Sequence, residues 1–312
     1  MPKLKKVRTL AAKVEGTIGT AESLTSAEGV FNAYNIMFQP QINKTVREAP
    51  GGFNRLTSVS EGQLATISFR TEVGWDGTAT EPTIFSVLMP CCGWTESTNV
   101  WKPRSEAPGS NVKTCTMGCY VDGVLKTIKG AVGTWTMVMV AGQIIFIDWV
   151  FTGVYVEPTD ASIITPTYPT DVGLRFASAT ACSYNSVALT TQNMTIAANN
   201  EITPLESPLT ASGYSSCLIV DRFPTIQCNP EMVSVATQNR HNIFTEGTAY
   251  AIAVTLDGPS NSTLAISAPK AEIANIQEGE RGKVVTDEIN FNCTKNGATQ
   301  NEELYFTFTP AS

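Results

Sequence analysis

The sequence has little of what enzymes use for catalysis. It contains one histidine, His241, which lies in the polar run 238–242. It has no phosphate-binding loop, dinucleotide-binding glycine pattern, nucleophile elbow or EF-hand loop, so the usual motifs for nucleotide, acyl-transfer and calcium chemistry are missing. Acidic residues cluster at 278–280, 287–288 and 302–303, and we interpret them as solvated loop charges rather than a glycosidase pair. The sequence therefore predicts neither an enzyme nor a bound cofactor.

Charged residues are scarce, and positive ones are scarcer than negative ones. They make up 16% of the chain, with 21 Lys and Arg against 28 Asp and Glu, so the net charge is −7. Affinity for nucleic acid comes largely from neutralised phosphates, so this balance argues against tight DNA binding. The best basic candidate is the run 100–104. We expect Trp101 to anchor this run to the body of the protein, with Lys102 and Arg104 facing water.

Long hydrophobic runs are also missing. The most apolar stretch, 137–151, contains Gly142, Gln143 and Asp148 and is shorter than the roughly 20 residues that a membrane span needs. The basic N-terminus is followed by Lys13 and Glu15 where a signal peptide would be apolar. We therefore expect no membrane segment and no secretion, and folding in a cytoplasm.

The eight cysteines do not follow a metal-binding or disulfide pattern. Disulfide frameworks are typical of small oxidised domains, and this chain of 312 residues is not small. Four thiolates from Cys91, Cys92, Cys115 and Cys119 are the one conceivable metal set, but paired C-x-x-C spacing is missing. We expect reduced and mostly buried thiols, because free cysteine behaves as a small hydrophobe.

What the sequence does contain is a dense pattern of strands and tight turns. Asp122-Gly123 lies between two alternating runs, which is a strong signal for a β-hairpin. Strands are predicted at 133–141 and 143–156, separated by a turn at Ala141-Gly142, and a Pro-containing segment at 158–169 follows. The sequence therefore predicts an all-β fold.

Similar patterns predict the remaining elements. The predicted segments are an extended N-terminal arm outside the core, strands at 30–38, 64–75 and 304–309, a helix at 83–92, and long polar loops at 49–61 and 95–113. A structureless loop of more than about 12 residues is usually functional or disordered. The loop at 49–61 is therefore the first candidate for a functional segment.

The length and an apparent repeat predict two domains. Single cores rarely exceed about 250–300 residues. The predicted divisions are an arm (1–29), a first domain (30–157), a Pro/Thr-rich linker (158–175) and a second domain (176–312). A second Asp-Gly, at Asp257-Gly258, follows an alternating run as the first one does, and 282–293 parallels 142–153. A diverged duplication explains this order; the alternative is that any two β-rich halves show such spacings.

The order of these pieces resembles the major tail tube proteins of bacteriophages with long, non-contractile tails. The segments that carry the resemblance are the Asp122-Gly123 hairpin, the strand start at 130–133, the Ala141-Gly142 turn and the exit at 151–169. The runs 7–20 and 67–77 are similar to the opening of the same family. The resemblance covers mainly the N-terminal half of the chain.

The resemblance implies a structural protein of the virion tail, assembled in the host cytoplasm. The expected fold is two tandem β-sandwich or half-barrel domains, each with a short flanking helix, whose inner sheets join into a ring-forming β-barrel. Two repeats per chain predict homotrimeric, pseudo-sixfold rings, with a homohexamer as the alternative. The rings stack into a tube through which DNA passes unbound. Further expected partners are the tape measure, tail terminator and distal tail or baseplate proteins.

The resemblance also directs attention to the loop at 49–61, because the corresponding loop of the family reaches the neighbouring ring. We expect Arg47, Phe53, Arg55 and Glu61 to lie in an inter-ring or inter-subunit interface. A loop without any partner is the other interpretation. Alternative functions are a capsid decoration protein or a β-sandwich adhesin and, less directly, a tail-associated glycan hydrolase.

Overall fold

The computed structural model describes residues 3–4, 6–27, 31–177 and 179–311. The predicted arm is therefore described without residues 1, 2, 5, 28 and 29, and the first predicted strand without its first residue, 30. Residues 178 and 312 of the predicted second domain also lie outside the described ranges. The elements of the N-terminal half are β1 (Arg8–Val14), β2 (Ala33–Glu48), β3 (Arg55–Glu72), α1 (Thr83–Leu88), β4 (Trp94–Ser97), β5 (Val100–Pro103), β6 (Cys115–Val121), β7 (Val124–Val140) and β8 (Phe146–Asp160).

The C-terminal half is also built mainly from strands. Its elements are β9 (Ala181–Tyr184), β10 (Val187–Ala188), β11 (Thr191–Ala197), β12 (Asn200–Glu206), β13 (Tyr214–Arg222), β14 (Thr225–Pro230), α2 (Arg240–Glu246), β15 (Tyr250–Asp257), β16 (Thr263–Arg281), β17 (Val284–Cys293) and β18 (Tyr305–Thr309). Short 3-10 turns follow α1 at Met89–Cys92 and precede β16 at Pro259–Asn261. The prediction of a mostly β protein is confirmed.

Sixteen strands form one large antiparallel sheet, and β12 and β13 form a second, two-stranded one. The path through the large sheet is β10-β9-β15-β16-β17-β14-β11-β7-β8-β3-β2. Strand β6 pairs with β7 and β1, and β5 pairs with β4 and β18. The sheet of a single chain is open, with β2 and β10 at the two ends of this path in the part of the chain that is described.

Six strands of the first half pair in the order β1-β6-β7-β8-β3-β2. The predicted Asp122-Gly123 hairpin is confirmed. Val121 lies opposite Val124, and the two turn residues have φ angles of 42° and 85°. These positive angles are the ones that a two-residue type I′ turn requires, and Asp and Gly adopt them more readily than other residues.

Six strands of the second half pair in the corresponding order, β9-β15-β16-β17-β14-β11. Asp257-Gly258 lies between β15 and β16, as Asp122-Gly123 lies between β6 and β7, but it makes a different turn. Gly258 has a φ of −102° and leads into the 3-10 turn before β16. The tight two-residue turn of this half is Gly282-Lys283, with φ of 55° and 72°, between β16 and β17.

The prediction that the N-terminal segment lies outside the core is wrong for β1. This strand pairs with β6 along its whole length, and Leu10, Ala11 and Ala12 are buried. The polar residue that follows, Glu15, is also buried because its carboxylate accepts hydrogen bonds from Thr114, Thr116 and the backbone N–H groups of Gly19 and Gly130. A buried carboxylate needs such donors, and a sequence pattern does not show them.

Both predicted long loops contain strands. Strand β2 continues to Glu48 and β3 begins at Arg55, so only residues 49–54 of the expected loop at 49–61 form a turn. Both faces of this hairpin end are exposed, so the alternation that marks a half-buried strand is missing. Within 95–113, β4 and β5 form a short hairpin. The helix predicted at 83–92 is confirmed as α1 and the 3-10 turn after it.

The segment between the two halves begins later than predicted. Strand β8 includes Pro158 and ends at Asp160, and the described residues of 161–180 contain no regular element. This segment is attached to the sheet by isolated bridges between Gly74 and Gly173 and between Ile144 and Arg175. It therefore runs along the protein instead of spanning open solvent.

Aromatic side chains from both halves meet in one core. Phe306 on β18 packs against Trp94 and Trp135, with ring centroids 5.3 and 5.5 Å away. Phe308 packs against Trp75 at 5.2 Å and Phe85 at 5.0 Å. The predicted C-terminal strand is confirmed, and its pairing with both β16 and β5 connects the two halves.

Candidate interaction surfaces

The far end of the β2–β3 hairpin is the most exposed region of the described chain. Every side chain from 43 to 48 and from 51 to 61 is exposed. Three of them, Val46, Leu56 and Val59, are apolar and lie on paired strands. Exposed apolar side chains on both strands of this hairpin end favour an interaction site there.

Three of the four predicted interface residues lie together at the tip of this hairpin. Phe53 is in the turn and is fully exposed, Arg55 lies opposite Glu48, and Arg47 lies opposite Leu56. Glu61 is six residues further along β3, about 20 Å away at the rise of an extended strand. There its carboxylate accepts a hydrogen bond from Thr45. The interface role of all four residues stays a prediction.

The corresponding part of the second half is packed instead of exposed. Strands β12 and β13 continue β11 and β14 as a hairpin and lie across the first half. Gln63 donates its backbone N–H to the carbonyl of Ser212 at 3.0 Å. The Asn200 amide donates to the carbonyls of Cys92 and Gly133, both at 2.8 Å. These bonds fix the second hairpin to the body.

One edge of β2 is open in the described chain, since β2 pairs with β3 alone. Beside this edge is a cleft of about 940 Å³. Its lining includes Ile36 and Phe38 of β2 and three basic residues, Lys6, Arg8 and Lys126. The Arg8 guanidinium donates to the Ile36 carbonyl at 2.7 Å, and the Lys126 ammonium lies 5.7 Å from the centre of the Phe38 ring. The cleft is therefore apolar on its β2 wall and cationic on the opposite wall.

A second open edge belongs to the far part of β16. Its pairing with β15 ends at Ala271, and from Glu272 to Arg281 it pairs only with β17 among the described residues. Glu278 and Glu280 are exposed on this part of the strand, and neither makes an ion pair within the described ranges. This edge is therefore anionic. Sequence reasoning missed both edges, because pairing between distant strands has no local signal.

His241 lies exposed on α2. Its backbone carbonyl accepts a hydrogen bond from the Thr245 hydroxyl. Within the described ranges, no group of three His, Cys, Asp or Glu side chains could hold a metal ion.

The interpretation of the acidic clusters as solvated loop charges is wrong for several members. Asp287 is buried on β17 and binds Arg240 at 2.7 Å, because a charge placed in a core needs an opposite charge beside it. Glu303 binds Arg222 in a mostly buried pair. Glu278 and Glu280 are exposed, but they lie on a strand instead of a loop.

The cysteine prediction is confirmed for burial. All eight thiols are free, and every one except Cys182 is buried. Burial raises the pKa of Cys217, Cys228 and Cys293 to about 12 and that of Cys182 to about 11. Because the thiolate is the reactive form, these groups are poor nucleophiles and poor metal ligands at neutral pH.

The basic run at 100–104 contributes to the body of the protein. Trp101 is buried, as predicted, and its indole N–H donates to Glu81 at 2.8 Å. Burial raises the pKa of the Glu81 carboxyl. Lys102 is only partly exposed, because its ammonium binds Glu302 at 2.6 Å, whereas Arg104 is exposed as expected. This run therefore joins the two halves.

No helix within the described residues has both the length and the apolar character needed to cross a membrane. No protein-family model matches the chain, and no curated protein matches it either.

Proposed function

We propose that this chain is a structural virion protein that polymerises with itself into the tail tube of a long, non-contractile phage tail. Stacked rings would form the conduit through which DNA leaves the capsid for the host. The observation that carries the proposal is the repeated strand order. Each half has six strands in the same antiparallel order, with a short helix at the same point of the chain, as a two-domain tube subunit requires.

The repeat supports two related domains with a pseudo-sixfold role. Helix α1 follows β3 and precedes β6; helix α2 follows β14 and precedes β15. Strands β3 and β14 occupy the same place in the two strand orders, as do β6 and β15. Three such chains present six similar units, which is why we propose a homotrimeric ring and retain a homohexamer as the alternative.

The exposed β2–β3 hairpin supports stacking of the rings. An element with both faces exposed and Phe53 fully exposed at its tip gains little from projecting into water. It gains more if a neighbouring subunit covers it, and aromatic and Arg residues are the preferred anchors of such contacts. We propose that the tip residues Arg47, Phe53 and Arg55 lie in the contact between rings.

The charge of the chain supports a conduit in which DNA is not bound. Each Lys or Arg facing the bore would attract phosphates and slow the passage of the genome. A net charge of −7 per chain is compatible with a bore wall dominated by carboxylates. We expect no electrophoretic shift of duplex DNA at micromolar protein and physiological salt. A shift that disappears at higher salt would favour a DNA-binding virion component instead.

Electron microscopy of the purified protein tests the proposal directly. We expect tubes of constant diameter in negative stain, with threefold or pseudo-sixfold symmetry in their averaged cross-sections. Deleting residues 50–55 should leave a folded protein that no longer forms tubes, because the tip would be missing from the stacking contact. Discrete particles from the full-length chain at high concentration would contradict the proposal and favour a decoration protein or an adhesin.

A further inference from the structure

We propose that the open edge of β2 pairs with the open edge of β16 in a second copy of the chain. The strands run antiparallel, with Phe38 opposite Glu278 and Gln39 opposite Gln277. The contact is head to tail, since each copy offers β2 to one neighbour and β16 to the other. It rests on the proposed self-assembly and states which strands meet within a ring, in which register and through which charges.

The contact between β7 and β11 inside one chain is the template. Ile196 lies opposite Met137, and Ala197 lies opposite Thr136. This pairing joins the edge strand of the second half, β11, to the central strand of the first half, β7. In the repeated order β2 takes the place of β11 and β16 takes the place of β7. A β2–β16 pair cannot be found inside the described chain, so the equivalent contact needs a second copy.

Pairing across the sheet fixes how β2 corresponds to β11. In each half, three residues on neighbouring strands lie opposite one another, from the edge strand inwards. The two rows are Phe38, Ile67 and Phe151 in the first half, and Ile196, Ile226 and Phe291 in the second. All but Phe38 are fully buried. Phe38 therefore takes the position of Ile196, and Gln39 takes that of Ala197.

The same comparison fixes how β16 corresponds to β7. On β8, Trp149 lies two residues before Phe151. On β17, Ile289 lies two residues before Phe291. Their partners on the central strands are Trp135 and Ile276. Two residues further along those strands, Glu278 takes the position of Met137. Transferring the internal register then places Phe38 opposite Glu278.

The two contacts differ in chemistry, and the difference explains why one is internal and the other is between copies. The internal contact is apolar: Met194, Ile196, Met137 and Met139 are all buried. At the open edges the surroundings are charged: Glu278 and Glu280 lie on β16 itself, and Lys6, Arg8 and Lys126 lie on the cleft wall opposite β2. Residues directly opposite one another in an antiparallel pair project from the same face of the sheet. Glu278 would therefore project from the face of Phe38, where the cleft has its basic wall.

Opposite charges on the two edges favour this partner over other pairings. Glu280 lies two residues beyond Glu278 on the same face of β16, so both carboxylates approach the wall formed by Lys6, Arg8 and Lys126. Glu278 lies opposite Asp287 within its own sheet, but Asp287 is buried and already bound to Arg240. Glu278 is the exposed carboxylate of the two, so it is the one that a cation from a second copy can reach. Two β2 edges or two β16 edges would bring like charges together.

A cysteine pair across the proposed register tests the inference. Gln39→Cys and Gln277→Cys are combined in one chain and treated with a short thiol-bridging reagent after assembly. We expect covalent multiples of the chain on a reducing-agent-free gel and none from either single variant. The matched control combines Gln277→Cys with Pro40→Cys, which keeps the carboxylate of Glu278. It is out of register by one residue, so its two thiols lie on opposite faces and should not cross-link.

The outcomes separate this inference from the proposed function. Tubes with no cross-link in the Gln39 and Gln277 pair, or with stronger cross-linking in the off-register control, would overturn the strand pairing and leave the tube. A register-specific cross-link without tubes would support the pairing and contradict the tube. A protein that stays monomeric at high concentration and does not cross-link would contradict both.

Charge reversal gives a second, independent readout. Lys126→Glu should weaken association at low salt by roughly tenfold, because it places like charges at the contact. Adding Glu278→Lys to the same chain should recover most of the association, because the two positions then carry opposite charges again. The measurement is the concentration at half-assembly by sedimentation velocity, with folding checked by circular dichroism. Failure of the double variant to recover association would contradict the proposed contact between these two charges.

Discussion

The two long hairpins of the chain occupy the same place in the strand orders of the two halves and have opposite surroundings. The hairpin that extends from β11 and β14 as β12 and β13 lies on the first half, where Tyr214 contacts Gly62 and Ser216 contacts Gly130. The β2–β3 hairpin projects away from the body, and Phe53 at its tip touches only solvent. One hairpin is therefore packed within the chain, and the other offers the same kind of element to a neighbour.

The edges at the base of these hairpins differ in the same way. Strand β11 completes β7 inside the chain, whereas β2 and the end of β16 are open in the described ranges. Native proteins usually protect open edges, since an open edge can pair with any exposed strand. In this chain, β2 carries Pro40 within its open edge, and the charges at the two edges are opposite, basic in the cleft beside β2 and acidic on β16. The internal contact between β7 and β11 is therefore a guide to the contact between copies.

The largest stability effect is expected at a position where the two halves differ most in their cores. Asp287 on β17 is buried with Arg240 of α2, whereas the corresponding position on β8 is the apolar Ile147. Asp287→Ala should lower the free energy of unfolding by about 3–5 kcal/mol, because it leaves a buried guanidinium without its carboxylate. Chemical denaturation measures this loss. Glu288→Ala, on the neighbouring position, should change stability by less than about 1 kcal/mol, and equal losses in both variants would contradict the assigned role.

The second largest effect is expected where β13 of the packed hairpin, close to its turn, lies on Gly130. Gly130 has a φ of 55°, and a Cβ atom there would lie 2.8 Å from the Cα of Ser216. Gly130→Val should lower stability by about 3 kcal/mol, through backbone strain and the clash together. Gly51, in the turn of the open hairpin, has a φ of 84° and nothing within 4 Å of such an atom.

Gly51→Val is therefore the matched control for Gly130→Val, because it introduces the strain without the clash. The difference between the two variants in denaturant unfolding isolates the packing of the second hairpin on the first half. Equal losses would show that β13 does not lie firmly on this glycine.

The sequence predicts those parts of the fold that have local signals. Asp122-Gly123 specifies its hairpin because the turn itself selects residues that adopt positive φ. Helix α1 is predicted because Ile84 and Leu88 share a face. The end of the β2–β3 hairpin is missed because exposed strands lack alternation, and β1 is missed because the partners of Glu15 are about 100 residues away.

The candidate interaction surfaces also divide into a part with a local sequence signal and a part without one. Phe53 and Arg55 are predicted from local composition, and they do lie at an exposed tip. The open edges of β2 and β16 depend on which distant strands pair, and no short pattern contains that information. Their charges, on Lys126 and Glu278, become meaningful only once the two repeats are compared in three dimensions.

The exposed tip of one hairpin and the packed strand of the other should affect assembly and stability in opposite ways. Phe53→Ala should change unfolding free energy by less than about 0.5 kcal/mol, since the ring has no contacts to lose. The same change should weaken tube formation by about 1–3 kcal/mol if the tip is an interface anchor. Tyr214→Ala in the packed hairpin should do the reverse, lowering stability and leaving assembly of the folded protein nearly unchanged. Pelleting assays measure assembly and denaturation measures stability for both variants. A large loss of stability in Phe53→Ala, or a large loss of assembly in Tyr214→Ala, would contradict the prediction.

The smallest effect is expected at the ion pair that links the two halves, Lys102 with Glu302. The hydrogen bond from Lys102 lowers the pKa of the Glu302 carboxyl below its ordinary value of 4.5. Its stabilising contribution is therefore complete above that ordinary value and is lost as the pH falls through the lower value of the folded state. Both side chains are partly exposed, so Lys102→Met should cost only about 0.5 kcal/mol at neutral pH. The difference between variant and parent should shrink below pH 4 and with added salt. A loss that is large, or that grows in acid, would show that the two halves depend on this pair more than on the shared aromatic core around Phe306.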